Sequence, residues 1–164
     1  MVLICSRIEF TKLKCISSTK DLAIFEYCIL NKNNRTSSYV SAKLKVFKLP
    51  VRSVKVNLGL YQLINGCRPF LYNITVDYCK FLKNQKANPI AKYFNDLLKD
   101  VSNFNHSCPY NHDFIVDKLS PDIVNTRLPK TLPFPEGRYM IETIWMGDEN
   151  YRAVTKLYFL FINT

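Results

Sequence analysis

The clearest pattern of hydrophobic and polar positions runs from residue 68 to residue 113. Within it, residues 69–79 alternate with the period of two that a half-buried strand requires. The apolar face of this predicted strand consists of Tyr72, Ile74, Val76 and Tyr78. Asn88 and Pro89 predict the start of a helix, because Asn caps free backbone N–H groups and Pro at the first helical position loses no hydrogen bond. An amphipathic helix is therefore predicted near 88–101, and its apolar stripe is Ile90, Phe94, Leu97, Leu98 and Val101.

The rest of the chain reads as short strands separated by turn signals. Besides 69–79, the predicted strands are 8–16, 22–30, 39–49, 54–64, 113–119, 137–146 and 151–162. Hairpin turns are predicted at Asn65-Gly66 and at 147–150. The proline-rich residues 120–136 predict a long ordered loop or an edge crossing, because proline cannot donate to a sheet ladder. Seven to eight strands with one inserted helix predict a mainly β protein, an antiparallel sandwich or barrel.

Two strands carry further expectations about their faces. In 39–49, Ser41, Lys43 and Lys45 form the predicted solvent face. In 151–162 both faces are apolar, which predicts a central strand covered on both sides.

Composition and charge bound the class of protein. The chain of 164 residues is 48% hydrophobic and 22% charged, as is typical of one globular domain. Its net charge of +10 is scattered, and basic residues along the strands include Lys12, Lys14, Lys43, Lys45, Lys48, Arg52 and Lys55. This charge suits either a solvated sheet face or contact with an anionic membrane or acidic glycan surface. Nucleic acid is not predicted as a partner, since no nucleic-acid-binding motif accompanies the charge.

The cysteines favour export from the cytoplasm. They are six in number: Cys5, Cys15, Cys28, Cys67, Cys79 and Cys108. None forms a CxxC pair, so a zinc site of the usual spacing is not predicted. A disulfide framework suits a secreted protein, although six cysteines allow fifteen complete pairings and the residues alone do not choose among them.

Other signals also bear on export. Asn34, Asn73 and Asn105 stand in Asn-x-Ser/Thr triplets, which predicts N-glycosylation. Residues 1–6 are interpreted as the remnant of a truncated signal peptide, with a genuine start that leads directly into the first strand as the alternative, and 7–164 as a single domain. The predicted location is therefore extracellular.

Catalytic chemistry has little basis in this sequence. His106 and His112 lie on either side of Cys108 in one loop, and neither is near a recognisable nucleophile motif. Their spacing matches no standard metal site. Glu26 shares a strand face with apolar residues, for which a structural ion pair is a better explanation than acid–base catalysis. We therefore expect no enzyme activity, no metal and no cofactor.

Several short motifs resemble a known family. They are PFLYNITVD at 69–77, CKFL at 79–82, NPIAK at 88–92, HSCPYNHD at 106–113 and LPFPEG at 132–137. These motifs are similar to those of a large insect-specific family of small secreted proteins of unknown function. That family is related to the CheB chemosensory proteins and, more distantly, to the ML (MD-2-related lipid-recognition) fold. The resemblance extends from about Phe10 to the end of the chain.

The resemblance implies a fold, disulfides and a type of function. It favours an immunoglobulin-like, ML-like β-sandwich for 7–164, with disulfides Cys15–Cys28 and Cys79–Cys108, and it leaves Cys5 and Cys67 unplaced. It implies a secreted binding protein for a lipid or small hydrophobic ligand, such as a chemosensory accessory protein. The residues expected to line its cavity are Tyr72, Ile74, Val76, Tyr78, Phe94, Phe134, Tyr139, Ile141 and Trp145. The alternative is an extracellular protein-interaction module in which these residues fill a closed core and a basic face meets an acidic partner.

Overall fold

A computed structural model describes residues 6–32, 38–127, 134–148 and 151–163. These residues form eight strands and three α-helices. The strands are β1 (Ser6–Ser17), β2 (Ala23–Asn31), β3 (Tyr39–Val46), β4 (Lys55–Leu63), β5 (Cys67–Asp77), β6 (Phe114–Leu119), β7 (Gly137–Met146) and β8 (Arg152–Asn163). The helices are α1 (Tyr78–Lys83), α2 (Pro89–Leu98) and α3 (Pro121–Thr126). The predicted mainly β fold is confirmed, with two short helices in addition to the one expected.

The strands form two antiparallel sheets. The larger sheet has the order β1-β8-β7-β4-β5, and the smaller has the order β2-β3-β6. Leu44 of the smaller sheet and Val56 of the larger one are buried in the same apolar cluster, so the sheets pack as a sandwich. The hairpin predicted at Asn65-Gly66 joins β4 to β5, and both residues adopt the positive φ angles (49° and 111°) that such a turn favours.

The interior contains two aromatic clusters. In the first, the Trp145 cluster, the ring of Trp145 contacts those of Tyr78, Phe104 and Phe114. In the second, the Tyr139 cluster, the ring of Tyr139 contacts those of Phe70, Phe134, Phe159 and Phe161. Tyr139 and Phe161 are essentially inaccessible to solvent. Burial of large rings of this kind is the main apolar contribution to folding.

The strand predicted over 69–79 ends two residues early. Asp77 accepts a hydrogen bond from the backbone N–H of Lys80 and caps α1, so Tyr78 and Cys79 are helical rather than extended. The alternation within β5 is as predicted, with Tyr72, Ile74 and Val76 on the more buried face.

Helix α2 begins as predicted but also buries a polar residue. The Asn88 side chain accepts from the N–H of Ala91, and Pro89 occupies the first turn. The fully buried residues are Ala91 and Asn95; of the predicted stripe, Leu98 and Val101 pack half-buried against the core and only Ile90 is exposed. Asn95 accepts a hydrogen bond of 2.6 Å from the Tyr78 hydroxyl, which satisfies an amide inside the core.

The proline-rich segment also differs from its prediction. Instead of only a loop over 120–136, residues Pro121–Thr126 form α3. Ser120 caps this helix by accepting from the N–H of Ile123, and Pro121 fits the first helical position. A helix start was therefore encoded in residues that were interpreted as breakers. Residues 128–133 lie outside the described residues.

Strand β3 corrects two further expectations. It ends at Val46 rather than residue 49, and the Val46 N–H donates to the Asp113 carboxylate. Ser41, expected on the solvent face, is buried; its hydroxyl accepts from the N–H of Lys118. A short polar side chain is tolerated there because its hydrogen bond is satisfied.

The C-terminal strands match their predictions closely. β7 has the predicted bounds, and β8 lies between β1 and β7 as expected of an interior strand. One face of β8, with Ala153, Phe159 and Phe161, is buried; the other is half-buried. Residues 149–150 of the predicted hairpin lie outside the described residues.

Two disulfides crosslink the chain. Cys15–Cys28 joins β1 to β2, and Cys79–Cys108 joins α1 to the loop that precedes β6, as the resemblance implied. Cys67 is a free, exposed thiol, and Cys5 lies outside the described residues. None of the helices in the described ranges is long and apolar enough to cross a membrane.

Candidate ligand-binding site

A pocket of about 270 Å³ opens at one end of the sandwich. We call it the Pro50 pocket. Its apolar wall is formed by Leu22, Val46, Leu49, Pro50 and Tyr151, and its polar wall by Lys48, Arg52 and Asp148. The two cationic side chains are exposed, whereas Val46 and Tyr151 are buried. The pocket thus combines an apolar base with a rim of two cations and one carboxylate.

The segment that follows β3 is held in place by backbone contacts. Val51 exchanges both N–H···O bonds with Tyr110, at 2.8 and 2.9 Å. The carboxylate of Asp148 accepts from the N–H of Arg52 at 2.8 Å and from the N–H of Ser53 at 2.9 Å. Such charge-assisted bonds are stronger than neutral ones. They tie the start of the β7–β8 connection to the rim of the pocket.

Tyr151 forms a buried part of the pocket wall. Burial and, to a smaller extent, the negative charge of Asp148 raise the pKa of Tyr151 to about 12. Its ring lies directly against the backbone at Gly147, where an added Cβ would overlap the ring. Glycine is therefore required at 147 for this close approach.

The nine residues expected to line a cavity fall into separate places. Trp145, Tyr78, Ile74 and Val76 lie in the part of the apolar core that contains the Trp145 cluster. Tyr72, Phe134, Tyr139 and Ile141 lie in the part that contains the Tyr139 cluster. Phe94 is half-buried on α2, with its ring 6.4 Å from that of Tyr72. Of the nine, only Trp145 borders either the Pro50 pocket or a second, partly open pocket of about 50 Å³ in the described parts of the chain.

The Trp145 cluster contains ionisable groups that are kept neutral. The hydroxyl of Tyr110 donates to the carbonyl oxygens of Phe104 and His106, at 2.8 and 3.1 Å. Burial raises the pKa values of both Tyr78 and Tyr110 well above the usual tyrosine range. These phenols act as hydrogen-bond donors within a packed core.

Glu26 forms the structural ion pair that its sequence position predicted. Its carboxylate lies 2.7 Å from the ammonium of Lys43 on the neighbouring strand. The hydrogen bond and charge of Lys43 lower the pKa of Glu26, and the hydrogen bond from Glu26 raises the pKa of Lys43. Because both groups are exposed, the pair stabilises the edge of the smaller sheet only weakly.

The two histidines come together in the loop before β6. The Nε2 atoms of His106 and His112 lie 2.7 Å apart. The His112 Nδ1 atom is 2.8 Å from the carbonyl oxygen of Asp113. Across the described ranges, no three side chains of His, Cys, Asp or Glu are grouped as a potential metal site.

Two of the three predicted glycosylation positions are described. Asn73 is exposed on β5, where its Oδ1 accepts from the side chain of Asn57 at 2.9 Å, and Asn105 is exposed in a loop. Asn34 lies outside the described residues.

Sequence reasoning missed the Pro50 pocket. Its walls come from the ends of β2 and β3, from residues 48–52 and from the β7–β8 connection, which meet only in the folded chain. The one local signal was the pair of cations on either side of Leu49-Pro50, and it is too common to identify a site.

The fold defines a disulfide-linked antiparallel β-sandwich with a small amphipathic pocket at one end. A family model described as a protein of unknown function (DUF1091) matches residues 56–141, just over half of the chain. The chain belongs to this family. A comparison with curated proteins returned no match.

Proposed function

We propose that this chain is a secreted, non-enzymatic binding protein for a small hydrophobic ligand that carries an acidic group. The composition of the Pro50 pocket carries the proposal, because an apolar base lies beside Lys48 and Arg52. An apolar tail on the base would lose its contact with water, and an acidic head at the rim would meet the two cations. The disulfides support an extracellular location.

The volume of the pocket restricts the ligand. At about 270 Å³ it is at the lower limit for small-molecule sites, which typically occupy about 300–1,000 Å³. A short fatty acid or a compact aromatic acid fits this limit better than a phospholipid. We also propose that the chain is related to the CheB proteins and to the ML fold, and that it has a chemosensory role. This proposal is supported by the resembling motifs and by the two-sheet architecture.

Mass spectrometry tests whether a ligand is carried. Protein secreted from insect cells is measured under native conditions before and after extraction with organic solvent. Extra mass that solvent removes, identified as an organic acid, supports the proposal. A bare polypeptide that also fails to take up octanoate in calorimetry contradicts it.

Two charge variants test where the ligand binds. Arg52→Gln and Lys48→Gln are each expected to weaken octanoate binding about tenfold, the effect of losing one charge-assisted contact. Lys86→Gln is the matched control, since Lys86 is exposed on the short turn between α1 and α2 and does not border the pocket. Equal affinities in all three variants would place the ligand elsewhere.

A second candidate is the protein-interaction module with a closed core. It is favoured by the close packing of rings within each of the Trp145 and Tyr139 clusters and by the net charge of +10. An acidic glycan or protein would then meet the basic face. Binding to heparin that weakens steeply with salt, in protein that carries no ligand, would favour this candidate.

A further inference from the structure

His106 and His112 are brought together by a loop that is fixed at several points. The Cys79–Cys108 disulfide holds its middle, and the paired backbone bonds between Val51 and Tyr110 hold it from the other side. Tyr110 is fully buried, and its ring centroid lies 4.7 Å from that of His106 and 5.7 Å from that of His112. The two imidazoles therefore share a rigid support.

Hydrogen bonding determines which ring nitrogens carry protons. The Nδ1 atom of His106 lies 2.9 Å from the carbonyl oxygen of Ser107, and that of His112 lies 2.8 Å from the carbonyl oxygen of Asp113. A carbonyl oxygen only accepts, so each Nδ1 is a donor. The side-chain N–H of Asn103, 3.3 Å from the His112 Nδ1, makes its shorter bond of 2.7 Å to the same Asp113 carbonyl.

This arrangement leaves the two Nε2 lone pairs facing one another. A neutral imidazole has a single N–H, and in both rings that N–H is on Nδ1. Lone pairs at 2.7 Å repel unless a proton or a metal ion lies between them. A backbone partner on the second nitrogen is also the arrangement by which proteins orient histidine ligands towards a metal.

We propose that His106 and His112 form a two-imidazole site for a borderline transition-metal ion, with Zn²⁺ as the representative case. Zn–N bonds of about 2.0–2.1 Å in tetrahedral geometry place two nitrogens about 3.3 Å apart. The Nε2 atoms must therefore separate by about 0.6 Å, which rotation of the exposed His106 ring provides. Water fills the remaining positions, because no third His, Cys, Asp or Glu ligand is grouped with the pair in the described ranges.

The spacing of the two histidines did not predict this site. Sequence reasoning expected Cys108 to be used in a disulfide, and it is. That disulfide fixes the loop between the histidines, so it supports the geometry rather than competing with it. The inference is independent of the Pro50 pocket and of any ligand bound there.

Calorimetric titration of the oxidised full chain with ZnCl₂ tests the proposal. We expect saturable binding of one ion per chain, and a loss of about tenfold or more in affinity in His106→Gln and in His112→Gln. Cys67→Ser is the control, because it removes the exposed thiol that is the obvious competing ligand. Unchanged affinity in both histidine variants, or loss of binding in Cys67→Ser alone, would overturn the proposal.

A second measurement covers the case in which a histidine variant fails to fold. Nitrogen-15 NMR of the imidazoles in the unmodified chain reports the state of each ring nitrogen. We expect protonated Nδ1 atoms in both rings, and Nε2 resonances that shift together as Zn²⁺ is added. A proton shared between the Nε2 atoms that saturating Zn²⁺ leaves in place would also overturn the proposal.

Discussion

The buried hydrogen bond from Tyr78 to Asn95 provides the most direct test of the packing. Both residues are nearly inaccessible, at 6% and 8% exposure, and their side chains are joined at 2.6 Å. Tyr78→Phe keeps the ring and removes the donor, so the Asn95 oxygen remains in the core without a partner. An unsatisfied buried polar group costs about 1–3 kcal/mol. For a chain of this size, a loss of about 2 kcal/mol lowers the melting temperature by about 4–8 °C.

The same pair permits a double-mutant cycle. Asn95→Leu leaves the Tyr78 hydroxyl unpaired and is expected to cost a similar amount. The double variant removes both polar groups, so its loss should be smaller than the sum of the single losses by about 1 kcal/mol or more.

Urea unfolding followed by tryptophan fluorescence measures these losses. Trp145 is the only tryptophan in the sequence, and its ring centroid lies 5.8 Å from that of Tyr78, so its emission reports on this part of the core. Tyr27→Phe on the exposed side of β2 is the control and should change stability by less than about 0.5 kcal/mol. The reasoning is refuted if Tyr78→Phe and Asn95→Leu lose as little stability as the Tyr27→Phe control. It is also refuted if the two losses add fully in the double variant.

Three further predictions concern other parts of the molecule. Lys43 lowers the pKa of Glu26, so the contribution of Glu26 to stability is fully present above the ordinary glutamate pKa. That contribution disappears as the pH falls through the pKa of Glu26 in the folded protein. Glu26→Gln should therefore flatten the acid unfolding curve over that pH range. Gly147→Ala should displace the Tyr151 ring and cost about 1–3 kcal/mol in thermal unfolding, whereas an unchanged melting temperature would mean that the ring is not closely packed. Replacing Cys79 and Cys108 with alanine removes a disulfide that links positions 29 residues apart. The free energy of unfolding, measured in urea, should fall by about 3.6 kcal/mol because the unfolded chain gains entropy. A loss below about 1 kcal/mol would contradict this reasoning.

The parts of the fold that sequence predicted best depend on neighbouring residues. The alternation in β5, the turn at Asn65-Gly66 and the capped start of α2 at Asn88 are local signals, and each is present in the structure. Local pattern reports the period of an element and its ends directly.

The errors arose where distant residues decide the outcome. The burial of Asn95 on α2 depends on its bond to the Tyr78 hydroxyl, 17 positions away, so amphipathicity alone did not place this polar residue in the core. Ser41 is buried because Lys118, 77 positions away, donates to it. Tertiary partners of this kind override local preference.

The candidate sites were less predictable than the fold. The Pro50 pocket is assembled from several chain segments, and the contact between His106 and His112 depends on how one loop is folded. Neither the volume of a pocket nor the direction of an imidazole lone pair can be predicted from residue type and spacing. The disulfides were accessible only through resemblance to a family, since fifteen pairings suit the sequence equally.

The positions of the two disulfides also determine how the sandwich can open. The Cys15–Cys28 disulfide crosslinks β1 and β2, which are edge strands of opposite sheets. Cys79–Cys108 crosslinks the chain segment between β5 and β6, the remaining edge strands. Because a disulfide holds each edge of the sandwich, the two sheets of the oxidised protein can separate only at the ends of the strands. Reduction of either disulfide would remove the covalent link at one edge of the sandwich, so the separation of the two sheets depends on the redox state of the surroundings.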